Sequence, residues 1–318
     1  MNKLSKKSVA VAGVLAIGLS SFLTLPSAHA APKNQARSVV QADWLEKNLD
    51  DPKVVVVEVS TEPGIYERGH IRNSVKIAWH TDLVDTVNRD VVSSVKFQKF
   101  AQAAGISQDT TVVLYGDKNN WFAAWGAWIF NLYGAKDVRI LDGGRVKWEK
   151  DGRALTTAVT TKAKGNFTAT RLDKTLRATL LQDIIPVAKK RVKVDLIDIR
   201  SADEYSGKIF APAGFQELAV RAGHIPGAIN IPWGLNVNAD GTFKTVTDLK
   251  KLYADKGIDG KQPIITYCRI GERSSLTWFV LSEILGYDVK NYDGSWTEYG
   301  NTVGVPIENP SGTVWGNS

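Results

Sequence analysis

The residues best suited to chemistry lie in one short segment, positions 267–275, which reads Tyr-Cys-Arg-Ile-Gly-Glu-Arg-Ser-Ser. The segment holds the only cysteine of the chain, Cys268, and follows an apolar run at 263–266. A strand that ends in a cysteine, turns through Gly271 and enters a helix capped by two serines predicts a thiol in a cup of backbone N–H groups. Because the N-terminal end of a helix is positive, such a cup can hold an anion.

Two arginines flank this cysteine. Arg269 is its neighbour and Arg273 lies one helical turn further on. A lone cysteine without such neighbours is more often an inert buried residue. Positive charge on both sides is expected to lower the pKa of the Cys268 thiol and to favour the nucleophilic thiolate. The arginines therefore indicate a reactive cysteine.

The N-terminus predicts an exported protein. Three lysines precede an apolar run at 9–25, and Ala-His-Ala at 28–30 is typical of a signal peptidase site. The apolar run is short for a membrane span. We expect residues 1–30 to be a cleaved signal peptide, which leaves no stable membrane anchor and places the protein in the periplasm or outside the cell.

Composition excludes several classes of partner. The 318 residues carry a net charge of +7, which falls to +4 without the signal peptide. The sequence has no basic stripe with interleaved aromatic residues, so binding to nucleic acid is not predicted. A single cysteine excludes an internal disulfide. With four histidines in the chain, a Cys/His zinc site is also unsupported. No metal site is predicted.

Strand and helix patterns alternate along the first half of the chain. Strands are predicted at 54–59, 112–115 and 138–141, and helices at 42–47, 95–104 and 121–133. This alternation predicts an α/β fold with a mostly parallel sheet flanked by helices. Ligands of such sheets bind outside the carboxyl ends of the strands, and Cys268 lies at such an end.

The pattern then returns in the second half. Gly257-Ile258 repeats Gly105-Ile106 and Tyr267 repeats Tyr115, both at a separation of 152 residues. We therefore predict a tandem duplication, with a first domain at 31–155, a linker at 156–175 and a second domain at 176–318 that begins with a helix at 176–189.

The two copies differ where the chemistry is expected. The second carries extra residues at 207–221, which are expected to shape or shield the pocket. The first copy lacks the thiol and the matching arginines, because Gly116 occupies the position of Cys268, Asp117 that of Arg269, Trp121 that of Arg273 and Ser60 that of Arg200. We therefore expect the first copy to be inactive and to form a wall of the site in the second copy.

Two chemistries use a thiolate in an anion cup, namely phosphate-ester hydrolysis and sulfur transfer. Phosphatase loops of this kind place an arginine six positions after the cysteine, whereas here Arg273 comes at five and Ser274 at six. The shorter cup favours a sulfur-bearing oxyanion. Hydrolysis of phosphate esters or reaction with arsenate stays as a disfavoured alternative.

The loop at 268–275, the duplication and the segments at 198–200, 223–228 and 291–296 resemble the tandem-domain rhodanese family, its bacterial thiosulfate sulfurtransferases in particular. The resemblance implies two rhodanese-like domains. It also implies that Cys268 takes the outer sulfur of thiosulfate as a persulfide, releases sulfite, and passes the sulfur to cyanide or a thiol without a cofactor. The substrate-binding residues that it implies are Arg200, Arg269, Ile270, Gly271, Glu272, Arg273 and Ser274.

Two alternatives within sulfur chemistry stay open. Neutral loops in the family resemble mercaptopyruvate enzymes, and Glu272 departs from the basic pattern of thiosulfate enzymes, so a mercaptopyruvate donor is not excluded. Three roles stay open for Glu272: it could pair with Arg273, orient a guanidinium or face solvent, and a surface pair is the default. The chain could also be a non-catalytic persulfide carrier for an exported protein partner.

Overall fold

Two parallel sheets, one in each half of the chain, organise the computed structural model, which describes residues 35–216 and 218–316. The predicted signal peptide at 1–30 lies outside the described residues. Within them, no helix is both long and apolar enough to cross a membrane.

The first half forms an open sheet covered by helices. Its strands are β1 (Val39–Val40), β2 (Val54–Glu58), β3 (Ser74–Lys76), β4 (Val84–Asp85), β5 (Asp90–Val91), β6 (Thr111–Tyr115) and β7 (Asp137–Leu141). Its helices are α1 (Gln35–Ser38), α2 (Ala42–Asn48), α3 (Ile65–Arg68), α4 (Trp79–Asp82), α5 (Ser94–Ala103), α6 (Trp121–Leu132) and α7 (Gly144–Lys150), with a 3₁₀ turn at Lys118–Asn120. Five strands pair in parallel in the order β1-β7-β6-β2-β3, and β4 pairs with β5 in a separate antiparallel ribbon. The central strands are valine-rich and buried, as parallel strands covered on both faces require.

The second half repeats this arrangement. Its strands are β8 (Asp195–Asp198), β9 (Ile229–Asn230), β10 (Ile264–Tyr267) and β11 (Val289–Asn291). Its helices are α8 (Ile185–Ala188), α9 (Ala202–Ser206), α10 (Val246–Ala254), α11 (Glu272–Phe279) and α12 (Ser295–Asn301), with a 3₁₀ turn at Trp233–Asn236 and π-helical segments at Leu180–Ile184 and Val280–Ile284. All neighbouring strands are parallel, in the order β11-β10-β8-β9. This order repeats β7-β6-β2-β3, so the prediction of a duplicated α/β fold is confirmed.

The helix predicted at 176–189 is shorter than expected. Arg177 forms a parallel bridge to Asn291, and the Ala178 N–H donates to the Asn291 carbonyl at 3.0 Å. These bonds extend the sheet beyond β11, at the place where β1 pairs with β7 in the first half. The backbone is therefore extended here, and helical structure begins only at Leu180.

The predicted linker at 156–175 contains no helix or regular strand, but it packs closely on the first half. Phe167 is buried, and its N–H donates to the Ile106 carbonyl at 3.1 Å. Gln102 donates its side-chain N–H to the Phe167 carbonyl at 2.9 Å. The segment is therefore part of the folded structure and not a free tether.

One apolar core joins the two halves, and helices α6 and α11 meet in it. The core contains Trp128 of α6 and Leu276 and Phe279 of α11, together with Cys268. Helix α6 is almost wholly buried, and its small residues let neighbouring elements approach closely. The first half thus covers the helix that follows the cysteine.

Candidate active site

The cysteine lies directly after the central strand β10, where the chain turns into α11. Gly271 makes this turn with a φ of 104°, in the region that favours glycine. A Cβ at this position would lie 2.5 Å from Cζ3 of Trp125 and 2.9 Å from the backbone of Asp293. The close fit brings the Gly271 N–H to the Cys268 Sγ at 3.1 Å, so a backbone donor faces the sulfur.

The loop is fixed from the other side by the N-terminus of α12. The Cys268 N–H donates to the Ser295 Oγ at 3.1 Å. The Trp296 and Thr297 N–H groups donate to the carbonyls of Cys268 and Arg269, both at 3.0 Å. Three hydrogen bonds therefore hold the first two loop residues in place.

The sequence predicted that Ser274 and Ser275 cap the helix, and this prediction is wrong. Both lie inside α11, and the Oγ atoms of Ser274 and Ser275 donate to the Gly271 carbonyl at 2.9 and 2.8 Å. Ser274 also bonds to the Asn291 side chain at 2.7 Å. Its hydroxyl is therefore occupied, and Ser274 acts on the sulfur only through its backbone N–H.

The thiol is not activated in the way that the sequence predicted. Cys268 is 0% exposed. Burial raises the pKa of the Cys268 thiol, and the Glu272 carboxylate raises it further. Arg273 and the N–H groups of Ser274 and Gly271 act in the opposite direction, but the pKa is raised overall. The prediction of a lowered pKa is wrong, because it counted nearby charges and not the loss of water.

Glu272 is not a surface residue. The residue is 4% exposed, and its Oε2 lies 3.6 Å from the Cys268 Sγ. Its Oε1 lies 3.8 Å from the Arg273 Nε. Of the roles left open for Glu272, the pairing with Arg273 is therefore present. Exposure to solvent is wrong, because position 272 begins a helix that is packed under the first half.

Arg273 is held by a carboxylate that the sequence did not indicate. Its Nη1 and Nη2 donate to the Glu204 Oε2 and Oε1 at 3.1 and 3.0 Å. Glu204 belongs to the capping box of α9 with Ser201. The Ser-x-x-Glu spacing was visible in the sequence, but it indicates a helix start and not this ion pair. The pair fixes the guanidinium beside the cup.

Arg269 is positioned by the extra segment of the second half. Its Nη1 donates to the Gln216 carbonyl at 2.7 Å, and its guanidinium carbon lies 5.3 Å from the ring centre of Phe215. The insertion at 207–221 therefore reaches the cup, as expected. The neighbouring Ile270 is half-buried, and its carbonyl accepts from Arg89 at 3.5 Å.

A cavity of about 360 Å³ opens above the cup. Arg269, Glu272 and Arg273 line it, and the buried Cys268 lies beneath them. The rings of Trp121 and Trp233 meet edge to face at 4.7 Å, so both halves contribute to the wall. Trp121 was expected here as the counterpart of Arg273, and Pro212 and Phe215 belong to the insertion that was expected to shape the pocket. No sequence pattern identified the remaining lining residues: Ser201, Glu204, Pro232, Trp233 and Gly234.

Arg200 does not face this cavity, which does not fit the prediction that it binds substrate. It is 1% exposed. Its Nη2 donates to the Asp198 Oδ2 at 2.6 Å and to the Gly223 carbonyl at 2.7 Å, and it lies over the ring of Trp296 at 4.8 Å. All these partners are internal, so Arg200 has a structural role.

The first half contains the same buried pair with its cation supplied from another element. Arg145 of α7 donates to the Glu58 Oε1 at 2.9 Å and to the Gly69 carbonyl at 2.6 Å. Trp296 is the counterpart of Arg145 in the second half, and Ser60 is the counterpart of Arg200. The first copy has therefore not lost this cation. In the second half the arginine lies two residues after strand β8, whereas in the first half it lies in α7, the helix after strand β7.

These contacts describe a site for nucleophilic chemistry on an anion. A buried sulfur receives a backbone N–H, and two guanidinium groups line the space above it. The described part of the chain contains no cluster of three or more His, Cys, Asp or Glu side chains that could hold a metal ion.

Comparisons with known proteins agree with this architecture. The family model of the rhodanese-like domain matches the chain twice, at residues 41–151 and 185–302. A Mycobacterium tuberculosis protein provisionally named thiosulfate sulfurtransferase is 54% identical over 272 residues, which cover 85% of this chain and 97% of the relative. The sulfur carrier protein TtuD of Thermus thermophilus is 51% identical over 274 residues, which cover 85% and 95%.

A solved structure has the same fold. The crystal structure of SseA from Escherichia coli, described as a 3-mercaptopyruvate sulfotransferase, matches with a TM-score of 0.69 at 26% identity and covers 81% of this chain and 98% of that chain. The predicted resemblance and the prediction of two rhodanese-like domains are confirmed. With two matched domains and relatives of more than half identity over nearly their whole length, the chain belongs to the rhodanese family of sulfurtransferases.

Proposed function

We propose that this protein transfers the outer sulfur of thiosulfate to a thiophilic acceptor, cyanide or a thiol, through a persulfide on Cys268. The observation that carries the proposal is the pair of guanidinium groups, on Arg269 and Arg273, that line the cavity above the buried sulfur. Two cations suit the dianion thiosulfate better than the single carboxylate of mercaptopyruvate.

In the first half-reaction, the Cys268 sulfur attacks the outer sulfur of thiosulfate. The sulfur–sulfur bond of thiosulfate breaks, and its electron pair leaves with sulfite. Arg269 and Arg273 hold the sulfonate oxygens and stabilise the charge that grows on the leaving group. The Glu204 carboxylate keeps Arg273 in position before substrate arrives, so little reorganisation accompanies the reaction.

In the second half-reaction, the acceptor attacks the outer sulfur of the persulfide. The persulfide bond breaks, its electron pair returns to Cys268, and thiocyanate or a new persulfide leaves. The N–H of Gly271 donates to this sulfur and stabilises its negative charge in both steps. The cysteine itself carries the sulfur, so this scheme uses no cofactor.

The decisive experiment measures the mass of the protein before and after reaction with thiosulfate and cyanide. Thiosulfate should add about 32 Da, one sulfur atom, to the protein, and cyanide should remove it as thiocyanate. Cys268→Ser should abolish both steps. Arg269→Ala should lower turnover with thiosulfate on the order of 10²-fold, the effect of losing a donor aimed at developing charge. Arg269 suits this test because its polar partner is a backbone carbonyl, so its removal leaves no buried carboxylate unpaired. Arg72→Ala, which removes an exposed arginine, is the matched control.

Two competing activities have their own outcomes in this assay. The relative named a sulfur carrier favours a carrier role, in which the persulfide forms but no small acceptor discharges it. The structural likeness to SseA favours mercaptopyruvate, in which case that donor should load Cys268 faster than thiosulfate. Phosphate release from an aryl phosphate without a persulfide would refute the sulfur chemistry.

We further propose that the protein is exported, on the basis of the signal-like pattern at 1–30. Intact-mass measurement of the protein from its native host tests this proposal. A mass that begins near Ala31 is expected, and a mass that includes residues 1–30 would refute it. Comparing periplasmic extract with culture medium separates the two destinations.

A further inference from the structure

The Cys268 sulfur has both a backbone donor and a carboxylate beside it. The Gly271 N–H donates to the Cys268 Sγ at 3.1 Å. The Ser295 Oγ lies farther from the sulfur, at 4.0 Å, and its hydroxyl donates to the Tyr292 carbonyl at 2.7 Å. Among the contacts that the described residues make with this sulfur, the Glu272 Oε2 at 3.6 Å is the one carboxylate oxygen. A proton that leaves the thiol therefore has a strong acceptor beside it.

Glu272 is not required to hold its neighbouring arginine. The two Nη atoms of Arg273 are bound to Glu204, and Glu272 approaches only the Nε, at 3.8 Å. An acid at the first position of a helix is favoured by the helix dipole, but such residues usually face solvent. Glu272 is buried and directed at the sulfur instead.

A fixed negative charge at this position would oppose the proposed function. Thiosulfate is a dianion, and the persulfide and sulfite that it yields are also anionic. A carboxylate so close to the reacting sulfur would repel each of them, strongly so in a buried site. The repulsion disappears if the carboxylate becomes neutral during the reaction.

We propose that Glu272 is a catalytic base that takes the thiol proton of Cys268 and keeps it while the persulfide exists. This inference rests on the proposed thiosulfate reaction. The S–H bond breaks, its electron pair stays on the sulfur, and the proton moves to the Glu272 Oε2. The Cys268 sulfur then attacks thiosulfate as described, sulfite leaves with the electron pair of the broken bond, and the persulfide carries one negative charge beside a neutral carboxyl group. When the acceptor removes the outer sulfur, Glu272 returns the proton to Cys268.

The charged groups around Glu272 fit this exchange. Arg273 and Arg269 line the same cavity, and Arg89 lies at the carbonyl of the preceding residue. Glu204 is neutralised by its bidentate bond to Arg273. Asp293, whose backbone lies against Gly271, accepts two bonds from Arg177 at 2.8 and 2.9 Å, and Arg177 also pairs with Asp90 at 2.7 Å. Four arginines thus stand against three carboxylates other than Glu272, so these surroundings are positive overall and suit an anionic persulfide once Glu272 is neutral.

The experiment counts protons as the persulfide forms. Wild-type protein and Glu272→Gln are mixed with thiosulfate in weak buffer with a pH indicator, at a pH above the second ionisation of sulfite and below that of the thiol. Wild type should release no proton, because Glu272 keeps it, whereas Glu272→Gln should release one proton per persulfide. Its rate should fall on the order of 10²-fold near neutral pH and rise with pH, because solvent must take the proton.

Two further variants separate proton transfer from structure. Glu272→Asp keeps a carboxyl group, so it should release no proton although it reacts more slowly. Glu204→Gln removes a different buried carboxylate of the same cavity and should also release none, whatever its turnover. Release of one proton by wild type, or an unchanged rate and pH profile in Glu272→Gln, would overturn the proposal.

Alkylation of Cys268 by iodoacetamide tests the role of Glu272 without any sulfur donor. Wild type should react at a rate that is independent of pH near neutrality, since proton transfer to Glu272 is internal. The rate for Glu272→Gln should follow ionisation of the thiol, and identical profiles would refute the inference. If wild type forms no persulfide from thiosulfate, the proposed function fails, while the alkylation profiles still decide whether Glu272 is the base.

Discussion

Replacement of Arg200 by methionine distinguishes a structural arginine from a substrate-binding one. Methionine fills much of the same volume but removes every hydrogen bond of the guanidinium. Asp198 then keeps its charge in a fully buried position, and the carbonyl of Gly223 loses its bond at 2.7 Å. The substitution therefore acts on the folded state and not on the cavity.

The expected cost follows from the burial of both partners. Arg200 and Asp198 are 1% and 0% exposed in their side chains. Removal of one partner from such a pair costs about 3–5 kcal/mol, because the other charge remains without water or a counterion. A domain is stable by only about 5–15 kcal/mol, so the variant should lose a large part of its stability.

The assay is urea unfolding followed by tryptophan fluorescence, with persulfide formation measured on the folded protein. Arg145→Met is the matched variant, because Arg145 and Glu58 form the equivalent buried pair in the first half. It should cost a similar free energy of unfolding. Arg72→Met, which breaks an exposed pair with Asp50, should change the stability little.

The contrary outcome is an Arg200→Met variant that keeps wild-type stability and yet requires much more thiosulfate for half-maximal rate. That outcome would return Arg200 to the substrate site and make its contacts with Asp198 secondary. Loss of stability with an unchanged thiosulfate dependence is the outcome that we expect.

Two further variants test the shape of the cup and the prediction that the first loop is inactive. Gly271→Ala should lower the free energy of unfolding by about 1–3 kcal/mol through backbone strain alone. It should also impair persulfide formation, because the added Cβ overlaps Trp125 and displaces the N–H from the sulfur. A fully active variant in the intact-mass assay would show that the turn is not required. Asp117→Asn should leave turnover close to wild type, because the Asp117 carboxylate only accepts the N–H groups of Thr61 and Glu62 at 3.0 and 2.9 Å; a large loss of turnover in folded protein would contradict an inactive first half.

The sequence was sufficient for the duplicated sheet and for the position of the nucleophile. Strands such as Val54–Glu58 and Ile264–Tyr267 are continuous apolar runs between turn residues, and this pattern follows from burial on both faces. The cup was also predictable, because its donor and its sulfur lie three residues apart in one turn. Structural features formed by residues close in sequence, such as these strands and this loop, can therefore be predicted from the sequence.

Predictions failed where a partner comes from a distant part of the chain. Glu204 meets Arg273 across 69 residues, and nothing in the spacing of either indicates the pair. Arg200 was predicted to bind substrate, and its counterpart in the first half is Ser60. The structure shows that the buried acid of that half obtains its cation from Arg145 instead. A cation can be supplied from any element that reaches the acid, so residue-by-residue comparison of the two halves did not identify the donor.

The state of the Cys268 thiol depends both on residues near it in the chain and on packing between the two halves. The sequence determined that Cys268 follows a central strand, begins a turn through Gly271 and has two arginines beside it. It could not determine that α6 covers the next helix, which removes water from the sulfur and turns Glu272 towards it. The pKa of the thiol depends on desolvation as well as on charge, and desolvation is set by packing between the two halves. The composition of the cup was therefore local information, whereas its electrostatics required the fold.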